Sequence, residues 1–219
     1  MKVLYIDCFG GFDTNMLLGA LLDMGASAVY TEQMLRDMGF EADILSEKTV
    51  RKDIEAVYAY TKCIQKEDIE DFKYKTLLTN MCDALGEQYS ESENICTWAA
   101  VLSCMECFGV EKIICSPLSD GSGADASGYP IPSPQVLKYA KNYHIPIRTT
   151  DVQREIISSE GIVFIGENAD DFGMLPVGNI MCIGYGAGEN VDNCINIVRC
   201  VLTESEETGI KELEMLLNI

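Results

Sequence analysis

The stretch VLYIDCFGGFDTNMLLGALLDM, residues 3–24, contains the change of hydrophobic period that decides the fold class. Val3–Asp7 is a short apolar run of strand length, Cys8–Thr14 holds paired glycines, and from Asn15 to Met24 apolar side chains recur at helical spacing. A strand, a glycine-bearing loop and an amphipathic helix, in that order, open an α/β fold. Asp7 stands where the strand gives way to the loop, the place where open α/β sheets hold ligands. Gly10 and Gly11 allow close backbone approach, and the free N–H groups at the start of the Asn15 helix form a cradle for a phosphate or carboxylate. On spacing alone a plainer reading stands beside this one: Asp13 or Thr14 caps the helix and Gly10-Gly11 makes a turn.

Working outward, a second amphipathic helix is predicted over Thr31–Met38, then extended segments at Glu41–Val50 and Ile54–Cys63. In the latter, Ile54, Ala56, Tyr58 and Tyr60 share one face and Glu55, Val57, Ala59 and Thr61 the other, so both faces are partly covered. Helices follow at Phe72–Gln88 and Ile95–Phe108, the second apolar nearly all round and therefore central and buried. A strand at Lys112–Cys115 precedes a loop from Ser116 to Pro134 rich in Gly and Pro, of a length that is functional or mobile. A helix at Gln135–Tyr143 and strands near Ile145–Arg148, Ile180–Tyr185 and Cys194–Leu202 complete the body. The expectation is one α/β domain over residues 1–203, with a mixed sheet and packed helices, then a C-terminal helical tail at 204–219 striped by Ile210, Leu213, Leu216 and Leu217.

With 47% hydrophobic residues in 219, the chain buries a core without staples. Its 16 Lys+Arg against 35 Asp+Glu give a formal net charge of −19, which repels phosphate backbones and argues against nucleic acid as a partner. No apolar run approaches the ~18 residues of a membrane helix, and MKVLYIDCFGG lacks the long apolar segment of a signal peptide. A cytoplasmic location and no membrane partner are expected. The ten Cys sit in apolar runs, and most are read as buried free thiols. Cys104 and Cys107 lie on adjacent turns of one helix face, compatible with two metal ligands but more simply two core thiols; Cys8, near a helix start, is either activated or buried beside Phe9.

DCFGGFDTNMLLGALLDMG, residues 7–25, resembles the opening DCFSGISGDMFLGALLDLG of the LarC-type nickel-insertion family. Further segments agree in the same order: SPLSDGSG at 116–123 is similar to SPLPLGSG, SGYPIPSPQVLKY at 127–139 to HGxLPVPAPATxEL, and IGYGAGE at 183–189 to xGYGAGxRD. REIISSEGIVFI is similar to ELVTPTGAAIL and retains Glu155 and Gly161. The resemblance implies insertion of nickel into a pyridinium bisthiocarboxylate mononucleotide, the organonickel cofactor of lactate racemase, in a CTP-dependent reaction.

The departures bear on the metal. Where the family carries HFHEVGAVDSIVDI, this chain places Leu85, Glu87 and Gln88 at the His, His and Glu, with Glu93 and Thr97 at the two Asp. The one His, His144, lies far along the chain and reads as a solvated helix end. Asn15 replaces the Asp of GDM, and Ser158-Ser159-Glu160 replaces Thr-Pro-Thr. The resemblance is expected to cover only the family's N-terminal part, with CTP use requiring a separate C-terminal partner chain. A small anionic or mononucleotide ligand is then expected at Asp7, Gly10, Gly11, Asp13 and Asn15, facing Gly121, Ser122, Gly123 and Glu155. The catalytic and metal-ligating residues stay unassigned, and the absent histidines argue against a tight nickel site on the protein. The glycines at 128 and at 184, 186 and 188 read as turns, and no dinucleotide fingerprint follows the last group. Two functions remain open: nickel insertion of the LarC type, or a non-catalytic paralogue that binds the small ligand or acts as a scaffold.

Overall fold

The computed structural model describes residues 1–66, 72–86, 92–189 and 194–204. The opening apolar run is strand β1 (Lys2–Asp7), and the first helix, α1 (Thr14–Asp23), is capped by Asp13, whose carboxylate accepts from the Met16 N–H at 2.7 Å. Ser27 caps α2 (Ala28–Asp37), which leads into a long hairpin of β2 (Phe40–Arg51) and β3 (Ile54–Lys66). Two helices follow, α3 (Lys75–Leu85) and α4 (Ser92–Phe108), then strand β4 (Lys112–Cys115). The segment expected as one long loop holds three short strands, β5 (Leu118–Asp120), β6 (Gly123–Ala124) and β7 (Pro130–Ile131). Beyond it lie α5 (Pro134–Tyr143), β8 (Ile147–Thr149), α6 (Ser159–Asn168), β9 (Asp171–Phe172), β10 (Asn179–Ala187) and β11 (Ile197–Glu204).

Seven strands form one mixed sheet in the order β2-β3-β10-β11-β1-β4-β9. β1 runs parallel to β4 and antiparallel to β11, while β10 runs parallel to β3. The expected α/β fold with one mixed sheet and packed helices is the fold observed. Leu4 and Ile6 of β1, Val198, Cys200 and Leu202 of β11 and Val57 and Ala59 of β3 point to the same face and merge with the helices into one core. Helix α4 packs on β3 there, where the Thr61 and Thr97 hydroxyls meet at 2.6 Å. The opposite face carries a small apolar cluster around Ala56, Ala187 and Ile197. No helix among the described residues is long and apolar enough to cross a membrane.

The strand expected near Ile145–Arg148 is present as β8 and pairs with β5 in a separate two-stranded sheet. Other expectations are corrected. The last strand starts at Ile197, since Asn196 adopts a left-handed backbone with φ 45° that a strand excludes. Helix α6 is an addition to the expected elements; Ser158 accepts from the Gly161 N–H at 3.0 Å as its cap and Glu160 occupies its first turn. The expected tail lies outside the described residues from 205 onward, as do residues 87–91 of the histidine-depleted segment.

Gly184 and Gly186 are not turn residues: they lie inside β10 and face α1. A Cβ on Gly186 would overlap the Met16 carbonyl, one on Gly184 the Ala20 carbonyl, and one on Gly19 of α1 the Val57 carbonyl of β3. Helix and sheet backbones therefore touch, which only glycine permits. Gly186→Ala is expected to lower unfolding stability by about 3 kcal/mol, the upper range for overpacking a close-packed site. Denaturant titration checks this, and a loss below about 1 kcal/mol would show that the helix yields easily.

Candidate functional site

Where β1, β4 and β10 end and β11 begins, three segments close around a cavity of about 300 Å³. Asp13 comes from the start of α1, residues 154–158 from the approach to α6, and Glu189 and Asn196 from the two ends of the β10–β11 connection. Backbone bonds hold these segments together. The Phe12 N–H donates to the Ile156 carbonyl at 2.8 Å and the Ser158 N–H to the Phe12 carbonyl at 3.0 Å, an isolated parallel bridge. Gly11, with φ 101°, sits so close to the Ile156 carbonyl that no side chain fits. Across the cavity the Gly188 N–H donates to the Asn196 carbonyl at 2.9 Å. Asn196 suits its left-handed backbone because a short amide tolerates that conformation.

The cavity is negative. Burial pushes the Asp13 carboxyl up to about 6; the N–H groups of Met16 and Asn15 pull it back, and Glu160 and Glu189 push it further up. Glu155 accepts from the Ser133 N–H at 3.0 Å, which ties the wall to the start of α5. Arg154, whose guanidinium donates to the Glu155 carbonyl at 3.2 Å, is the only cation among the described lining residues. Carboxylates around one guanidinium favour a ligand that carries positive charge at one end and an anionic group at the other.

Of the expected site residues, Asp13 and Glu155 line this cavity. Asp7 is paired with Arg199, its direct neighbour across the β1–β11 ladder, and that guanidinium lies 5.9 Å from the Phe9 ring centroid. Gly10 packs on the Ile197 backbone, and Gly121 packs on the Val152 and Arg154 carbonyls, behind the wall. The Asn15 side-chain oxygen is buried with no hydrogen-bond partner. The Ser122 hydroxyl donates to the Thr150 carbonyl at 2.6 Å, and Gly123 is an exposed left-handed residue in β6. Asp7, Gly10, Gly11, Asn15 and the 121–123 turn are absent from the lining, and of these Gly11 and Gly121 pack against the wall backbone at Ile156 and Arg154. Arg154, Ser158, Glu189 and Asn196 were missed, although Arg154 and Ser158 fall within the REIISSEG segment and Glu189 ends GYGAGE.

The thiols divide differently from a metal site. Cys8 is buried with its Sγ 3.5 Å from that of Cys115, and burial followed by the second thiol pushes it well above the ordinary thiol range. Cys104 contacts the Thr31 hydroxyl at 3.3 Å and is pushed up to about 12 by burial, while Cys107 donates to the Ser103 carbonyl. His144 is exposed at the left-handed C-cap of α5. Among the described residues no three His, Cys, Asp or Glu side chains are grouped to hold a metal ion.

The family model described as "Nickel insertion protein" matches residues 4–93 and 88–218. The chain belongs to the nickel insertion protein family. The expectation that the resemblance stops at an N-terminal part is corrected by this match, which runs through nearly the whole chain. A pyridinium-3,5-bisthiocarboxylic acid mononucleotide nickel insertion protein of Acetivibrio thermocellus is 28% identical over 251 aligned positions, covering 94% of this chain and 61% of the relative. A protein of the same name from Thermotoga petrophila is 25% identical, covering 100% of this chain and 65% of the relative. A third, from Staphylococcus saprophyticus, is also 25% identical, with 97% and 63% covered. The chain thus spans about three-fifths of the length of the curated relatives it matches. No solved structure matches it.

In this member of the nickel insertion family, Asp13 links the cavity to stability. Its folded value near 6 lies above the ordinary 3.8, so its contribution is fully present below about pH 4 and is lost as pH rises through 6. Asn caps a helix as well as Asp and carries no charge to desolvate. Asp13→Asn is therefore expected to become more stable relative to wild type between pH 4.5 and 7.5, by ~1–3 kcal/mol. Urea titrations of both forms at the two pH values measure this; equal differences at both would refute the assignment.

Proposed function

We propose that this chain holds the pyridinium mononucleotide substrate of nickel insertion in the cavity between Asp13, Arg154–Ser158 and Glu189. The observation that carries the reading is that the cavity is lined from three of the segments that resemble the family motifs, DCFGGFDTN, REIISSEG and GYGAGE. The names of the relatives supply the substrate class. In this reading Arg154 receives the phosphate of the mononucleotide through a charge-assisted bond. Asp13, Glu155 and Glu189 face the positive pyridinium ring.

Nickel enters as cargo. Thiocarboxylate sulfurs of the substrate suit a borderline metal, so in this proposal they supply most of its ligands and the protein orients them. CTP use, which the resemblance implies, is assigned to none of the cavity residues. A second reading is favoured by the lack of a grouped donor set among the described residues: a paralogue that binds the mononucleotide and does not insert nickel.

Calorimetric titration with nicotinic acid mononucleotide tests the site. Arg154→Ala is expected to weaken binding at least about tenfold, the loss of one charge-assisted hydrogen bond. No binding by wild type, or equal binding by both forms, would refute it. Equilibrium dialysis with nickel alone is expected to show no stoichiometric tight site, because a metal held by scattered carboxylates stays weak. One tightly held nickel per chain, lost in Cys104→Ser or Cys107→Ser, would overturn the cargo reading and assign the helix thiols as ligands.

A further inference from the structure

Asp120 ends β5 and is fully buried, and it does not itself line the cavity. Its Oδ1 accepts from two backbone donors at 2.8 Å each, the Gly121 N–H beside it and the Ile156 N–H across the wall. Its main-chain carbonyl accepts from the Thr150 N–H at 2.8 Å and from the Thr150 hydroxyl at 2.9 Å. Ser122 adds a bond from its N–H to the Val152 carbonyl at 2.9 Å. Between Thr150 and Ile156 the chain has no strand or helix of its own, and these bonds to Asp120 and Ser122 hold it. The hold then passes onward, because the Ile156 carbonyl accepts from the Phe12 N–H, one residue before Asp13.

We propose that Asp120 is the positioning residue of the cavity: by gathering the Gly121 and Ile156 amides on one oxygen, it sets the wall from Arg154 to Ser158 against Asp13. As far as it concerns ligand, this rests on the mononucleotide reading above. The other oxygen, Oδ2, is buried and has no hydrogen-bond partner. Burial, and Glu155 on the wall itself, push the carboxyl above its ordinary range. An oxygen left unpaired in the interior is costly. The cost is tolerated where the same side chain satisfies a buried amide that nothing else reaches, and Ile156 is such a residue, itself 7% exposed.

Two variants separate positioning from packing. Asp120→Leu fills the space and removes the acceptor; Asp120→Asn keeps an acceptor at Oδ1 and removes the charge. Amide hydrogen exchange resolved by residue, and titration with nicotinic acid mononucleotide, are measured on both and on wild type. In Asp120→Leu the Ile156 and Gly121 amides are expected to exchange at least about tenfold faster and affinity to fall about tenfold, while β1 and α1 keep their protection. Asp120→Asn is expected to stay within about threefold of wild type in both readouts. Retained Ile156 protection in Asp120→Leu, or an Asn variant as impaired as the Leu variant, would overturn the proposal. If Asp120→Leu does not fold, an Ile156 amide unprotected in wild type, or lost affinity in Asp120→Asn, overturns it equally. Failure of wild type to bind the mononucleotide refutes the functional reading instead, and the exchange pattern then decides the role of Asp120 by itself.

Discussion

The backbone of α1 rests directly on β10 and β3, with glycine on both sides of the contact. Gly184 and Gly186 present no Cβ to the Ala20 and Met16 carbonyls, and Gly19 presents none to Val57. The start of α1, with Asp13, takes its position at the end of the sheet from that contact. A helix seated one side-chain layer higher would lift its cap, Asp13, away from the Phe12–Ile157 bridge and from the end of β10. Close-packed interiors transmit such shifts rather than absorb them.

The two faces of the sheet divide the charges. On the outer face, the Asp7 carboxylate is answered by Arg199 across the ladder, a direct cross-strand pair. At the strand ends, Asp13 is answered only by the N–H groups that it caps, and the neighbouring carboxylates oppose its ionisation. An acidic residue at the start of a helix is ordinarily comfortable; here desolvation outweighs that comfort, and its carboxyl stands near 6. The same cavity holds one guanidinium, so its polarity runs from Arg154 to the carboxylates.

Buried polar groups mark the walls more than the cavity itself. Asp120 binds the Ile156 amide, and Ser158 and Ser133 cap their own helices, so side-chain acceptors supplement the backbone bonds that hold the irregular chain between β8 and α6. The family match runs across these segments. Three of the thiols, by contrast, are packing groups: Cys8, Cys115 and Cys200 are buried and lie on or beside adjacent strands, whereas Cys107 is exposed.

Period and punctuation were enough to read the strand, loop and helix of residues 3–24, the hairpin strands, the buried α4 and the α/β class, because those signals are local and repeat every two or 3.6 residues. The motif segments also carried the family in the chain itself. What the sequence did not reveal was which polar residues face inward. Asp7 and Asp13 look alike on one loop, and only the strand pairing that sets Arg199 opposite Asp7 takes the first away from the cavity. Gly186 reads as a turn until α1 is laid on it, and Arg154, Glu189 and Asn196 have no common sequence pattern. Their proximity follows from loops closed by long-range backbone bonds, and the cost of desolvating a carboxylate exists only once the surrounding chain has excluded water.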